Sequence, residues 1–155
     1  MAIAAVVTQS TQFGGAGGTT SGINTTGANL IVVILDFYNP SGPNLSDSKG
    51  NTWTALTTYN SNNSSTKIYY CQNPTVGSGH TFTTTSTFSG LNVIAVSGAR
   101  TSGTPLDQET GSAGTGSANP QSPGSLTPSV NGCLVVTGFY QATAGGAPTI
   151  PSGYT

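Results

Sequence analysis

Seven side chains in this 155-residue sequence have the reactivity that enzymes and metal sites draw on: Asp36, Asp47, Asp107, Glu109, His80, Cys71 and Cys133. Glycoside hydrolysis needs two placed carboxylates, one as acid and one as nucleophile or base. Asp47 stands in a turn, Asp107 and Glu109 in a long polar segment, and Asp36 at the end of an apolar run, so no spacing marks a pair. A hydrolase is therefore the third-ranked expectation, with Asp107 and Glu109 as its best acids. A single histidine excludes a multi-histidine zinc site and leaves a Ser-His-Asp triad without a signature, so His80 reads as a strand-edge residue. The stretch Asp47-Ser48-Lys49-Gly50-Asn51 carries one acid and a lysine where a second oxygen ligand would help, and it fails the EF-hand pattern. A loop calcium site on Asp107, Glu109 and carbonyl groups is the one cofactor the acids could support. No catalytic, cofactor-binding or metal residue is assigned, and the expectation is a protein that is not an enzyme. Cys71 and Cys133 each fall in or beside a strand-like run, which suits a disulfide between two sheets and equally suits two small buried thiols.

The aromatic residues offer a different chemistry. Trp53, Tyr59, Tyr69 and Tyr70 fall on the two arms of a predicted hairpin, and an exposed aromatic row beside Asn and Ser would stack sugar rings and bind their hydroxyls. Against this, neighbouring strand positions point to opposite faces, so Tyr69 and Tyr70 cannot share one, and Trp53 is economical as a core residue. The row Thr81, Thr83, Thr85, Thr87 reads as a solvated hydroxyl face, because no internal repeat extends it across strands.

Charge narrows the partners. Only 5% of the residues are charged, against about 25% in an ordinary soluble domain. Three cations cannot replace the counterions of a nucleic acid, nor form a polybasic membrane contact. The longest apolar run, Leu30 to Leu35, is far short of the ~18 residues that cross a bilayer. The opening Met1-Ala2-Ile3-Ala4-Ala5-Val6-Val7 has no basic region ahead of it and does not read as a secretory signal. No nucleic acid and no membrane is therefore expected as a partner.

The elements that must position these residues are strands. Runs rich in β-branched and aromatic residues, bounded by Gly, Pro, Asn or Ser, occur at Ile3 to Gln9, Asn29 to Tyr38, Thr52 to Tyr59, Lys67 to Gln72, His80 to Thr87, Leu91 to Ser97 and Cys133 to Gln141. Helical periodicity is nearly absent. These runs predict a single all-β domain over 1–155, an antiparallel β-sandwich of jelly-roll-like type with long polar loops. Thr101 to Pro128 is the longest such loop, and Gly14 to Gly18 a flexible connector. Two runs, Leu30 to Leu35 and Leu134 to Val136 with Phe139, are apolar on both faces, so something must cover the outer one. Either the long loop does so, or Leu30, Val32, Ile34, Val135 and Phe139 form a subunit interface.

Three stretches carry a family resemblance: Asn24 to Val33, Ser46-Asp47-Ser48-Lys49-Gly50-Asn51-Thr52-Trp53-Thr54, and Ile68-Tyr69-Tyr70-Cys71. They resemble Gly/Ser/Thr-rich domains, largely uncharacterised, that share an apolar strand, a turn and strand of the form D-S-x-G-N-T, Y or W, T, and a strand with I or L followed by Y-Y. The resemblance implies phage structural proteins or bacterial surface and secreted proteins, and it implies no catalytic residue. In similar sequences the pattern continues for several strands more, so the chain reads as a fragment or as a sheet completed by a neighbouring subunit. The leading expectation is a structural β-sandwich protein of a virion, a phage capsid decoration or appendage protein that forms homo-oligomers or joins other virion subunits through apolar faces. The alternative is a carbohydrate-binding or receptor-binding module of a tail fibre or cell-surface protein, extracellular and bound to a cell-surface glycan.

Overall fold

The apolar and β-branched runs become strands because alternation along a pleated chain hides every second side chain. A computed structural model describes residues 2–38, 44–61, 64–113 and 122–140. Its strands are β1 (Ala4–Phe13), β2 (Gly18–Thr19), β3 (Leu30–Tyr38), β4 (Ser46–Asp47), β5 (Thr54–Ser61), β6 (Ser64–Gln72), β7 (Phe82–Thr84) and β8 (Ser89–Ser97). They form two antiparallel sheets, a large one in the order β1-β8-β3-β6-β5 and a small one in the order β2-β7-β4. Among the described residues there is no helix, and the all-β expectation holds.

Strand β3 is central in the large sheet and explains its own composition. One face sets Ile31, Val33, Leu35 and Phe37 in the core, all 0% exposed, beside Leu91, Val93 and Ala95 of β8 and Tyr69 of β6. Phe82 of β7, also 0% exposed, closes this core from the small sheet, with Trp53 and Leu45 packed around it. The opposite face carries a second cluster of Leu30, Val32 and Val96, ringed by Ile3, Ile68, Tyr70, Ile94 and Ala99.

The chain's own segment 133–140 lies on that outer face. Val136 packs into the second cluster. Gly138 presses so close that a Cβ there would fall 2.6 Å from Ile34 Cγ2 and 2.9 Å from Thr66 Cγ2. Val136, Gly138 and Tyr140 are partly buried while Val135, Thr137 and Phe139 are exposed, the alternation of an extended chain.

Several expectations are corrected here. Residues 133–140 carry the strand pattern yet join no ladder, because they sit over the sheet instead of beside an edge; Gln141 lies outside the described residues. The expected strand at His80 to Thr87 contracts to Phe82–Thr84, with His80 in an isolated bridge to Ile23. The two-residue strands β2 and β4 have no pattern long enough to read. The β5–β6 hairpin is present, pairing Thr54 with Tyr70 and Ser61 with Ser64, with Asn62 and Asn63 outside the described residues. The long polar loop contains no strand over 101–113 and 122–128.

Candidate functional site

The turn that begins at Asp47 builds the densest polar cluster. Gly50 takes a φ of 71°, open to glycine without a Cβ penalty, and so folds the turn back on the carboxylate. Asp47 Oδ1 accepts from the Lys49 backbone N–H at 2.8 Å and from Asn51 Nδ2 at 3.2 Å, and Oδ2 accepts from Trp53 Nε1 at 2.8 Å. His80 Nε2 donates to Oδ1 at 3.0 Å, and both side chains are 0% exposed. On its other side His80 Nδ1 lies 3.0 Å from Thr25 Oγ1, and the ring stacks on Phe82 with centroids 4.4 Å apart. Both ring nitrogens are thus engaged, Nε2 with the carboxylate and Nδ1 with the threonine hydroxyl.

Hydroxyl, imidazole and carboxylate thus stand in a line, as in a nucleophilic triad. Two features deny it that chemistry. Thr25 and His80 are both 0% exposed, so no substrate can reach the hydroxyl. Thr25 is also held by the Gly77 backbone, whose N–H donates to its Oγ1 at 3.1 Å. The line is a structural pin that ties the turn and the small sheet to the core. His80 is a core residue, not the strand-edge residue its place in the sequence suggested. Nothing in the spacing of Thr25, Asp47 and His80 could have shown their meeting, since it depends on strand pairing.

The remaining acids serve the loops. Asp107 accepts from the Ser129 N–H at 2.8 Å and from the Ser129 hydroxyl, and these bonds hold its carboxyl below the usual range. Glu109 Oε1 accepts the Thr57 N–H at 2.8 Å, occupying a donor on the edge strand β5. Among the described residues no three His, Cys, Asp or Glu side chains come together to hold a metal ion.

Asp36 differs. It is 8% exposed on the outer face, and burial raises its pKa to about 6 against the opposing hydrogen bond from Thr66 Oγ1 at 2.8 Å. Tyr140 of the covering segment lies near enough for the Asp36 charge, after burial, to raise its own pKa.

The four aromatic candidates do not meet on one surface. Tyr69 is buried at 5% exposure in the inner core, Tyr70 packs on the outer cluster, and Trp53 is committed to Asp47 and, edge to face at 6.0 Å, to Phe82. Tyr59 lies against Gly111, with its hydroxyl 3.5 Å from Glu109 Oε1. Of the proposed interface residues, Leu30, Val32 and Ile34 are covered at 8%, 6% and 5% exposure, whereas Val135 and Phe139 stand open at 43% and 46%. Both cysteines are free thiols, Cys71 buried and Cys133 exposed. No family model, no curated protein and no solved structure matches the chain.

Proposed function

We propose that this chain is a non-enzymatic structural protein of a virion, a phage capsid decoration or appendage protein that assembles through an apolar surface. The observation that carries the reading is where exposed apolar side chains collect. Of the seven large ones exposed among the described residues, five lie between residues 126 and 139: Leu126, Val130, Leu134, Val135 and Phe139. Exposed apolar side chains gathered along one segment in this way support an interaction surface. With seven formal charges in the whole sequence, little repulsion opposes contact between copies. The surface belongs to the segment that covers β3 instead of to β3 itself, so the two explanations for the doubly apolar strand combine: the chain covers its own sheet and presents a fresh apolar face. In this reading the two sheets are the jelly-roll-like sandwich of a particle subunit. Size-exclusion chromatography with light scattering, over a range of concentrations, is the test. Self-association or particle binding that disappears in Val135→Lys supports the reading; a strict monomer with no affinity for any particle overturns it.

A further inference from the structure

We propose that the groove beside Asp36, between the outer sheet face and segment 137–139, binds a neutral saccharide unit. The groove holds about 500 Å³, a size suited to one or two sugar rings. Register explains its shape. Ser10, Asn92 and Ile34 stand in one row across β1, β8 and β3, and Thr8 and Ile94 in the next. Gly90 is the register partner of Asp36, so β8 sets no side chain beside the carboxylate in that row. A Cβ at Gly90 would meet nothing nearer than the Thr11 carbonyl oxygen at 3.8 Å, so the gap is real space.

The lining combines two chemistries. Ile34 and Ile94 make an aliphatic floor and Phe139 an aromatic wall, surfaces that the C–H faces of a sugar ring pack against. Asp36 and Asn92 supply a carboxylate acceptor and a carboxamide that both donates and accepts, the pairing that holds adjacent hydroxyls. Thr66 occupies Asp36 Oδ1 only, and among the described residues the side chains of Asn92, Ser10 and Thr8 have no hydrogen-bond partner of their own. Lined by one acid and no Lys or Arg, the groove disfavours anions, so a neutral glycan and not a sialylated or phosphorylated one is its ligand. This gives the glycan-binding expectation a location other than Trp53, Tyr59, Tyr69 and Tyr70. The groove shares Phe139 with the proposed assembly surface, so the two readings are separated at Asn92, which lies outside segment 126–139.

Titration of the full chain, ¹⁵N-labelled, with a panel of neutral mono- and disaccharides tests it by NMR. Saturable shifts at the Asn92 side-chain amide are expected, with Kd of about 1 mM, typical of a small ligand on an open site. Asn92→Ala and Gly90→Val, each checked for an unchanged fold by circular dichroism, should weaken that binding about tenfold or more, while Val135→Lys leaves it intact. Should Gly90→Val unfold, Asn92→Ala decides alone. Three results overturn the proposal: no neutral sugar shifting Asn92, binding that survives in the folded variants, or tighter binding of a sialylated sugar or of an organic amine than of any neutral one.

Discussion

His80 Nε2 and Asp47 Oδ1 meet at 3.0 Å with both side chains fully buried, joining the only histidine of the chain to the first residue of its most turn-rich motif. A carboxylate holding this many donors away from water cannot be removed cheaply, because each donor left behind is buried without a partner. Asp47→Ala is expected to cost about 3 kcal/mol or more, lowering the melting temperature by roughly 10 °C. In a double-mutant cycle, Asp47→Ala and His80→Ala should couple by about 1 to 3 kcal/mol, and strict additivity would show that the pin does not act as a unit.

Asp36 sets a pH dependence of opposite sign to that of most acids. Its pKa rises on folding from 3.8 to about 6, so the folded protein holds this proton more tightly than the unfolded chain does. The associated stability is present below pH 4 and lost as pH rises through about 6, a change on the order of 3 kcal/mol. Asp36→Asn keeps an oxygen to accept from Thr66 and should flatten the curve between these limits, stabilising the protein at pH 7. Urea denaturation at a series of pH values compares the two. Asp107 works the other way, its lowered pKa adding stability that is lost as pH falls, but it is fully exposed and its share is small.

The covering segment depends on one missing methyl group. Gly138→Val would drive side-chain carbons into Ile34 and Thr66 and lift residues 136–139 from the sheet. Hydrogen exchange of the fold's central strands should stay slow in this variant, while limited proteolysis within 133–140 accelerates several-fold. Unchanged proteolysis would mean that the segment is not seated by that contact.

The two thiols should separate in a single experiment. Burial, and after it the nearby charge of Asp47, raise the Cys71 pKa and hold it in the unreactive form, whereas Cys133 is exposed. Native protein treated with iodoacetamide is expected to gain one alkyl group, on Cys133, and a second only on unfolding. No alkylation without a reductant would instead reveal a disulfide.

What could be read from residues alone follows from the range of each signal. Alternation is local, so β1, β3, β5, β6 and β8 were legible, and the Asp-Ser-Lys-Gly-Asn turn was legible from its glycine and its carboxylate. Two-residue strands such as β2 and β4 exist only because β7 lies between them, and no pattern of their own announces them. The run after Cys133 has the composition of a strand, but composition fixes an extended conformation and not a pairing partner. The convergence of Thr25, Asp47 and His80, and that of Asp36, Asn92 and segment 137–139 around one groove, are products of pairing and packing between distant segments. A lone histidine and an asparagine in an apolar run give no hint of either.

The strand order β1-β8-β3-β6-β5 also has a consequence for the chain during synthesis. Residues 30–72 contain β3, β5 and β6 and can pair among themselves as they emerge, but Ala4 of β1 pairs with Ser97 of β8. The first strand made must wait for the last of the sheet, which then inserts between it and β3. Such long loop closures put folding on the scale of milliseconds to seconds. Throughout that interval Ala4–Phe13, with neither charge nor proline to deter mispairing, is an unsatisfied ribbon on the nascent protein. On a crowded polysome that ribbon is open to pairing with the same strand of a neighbouring chain.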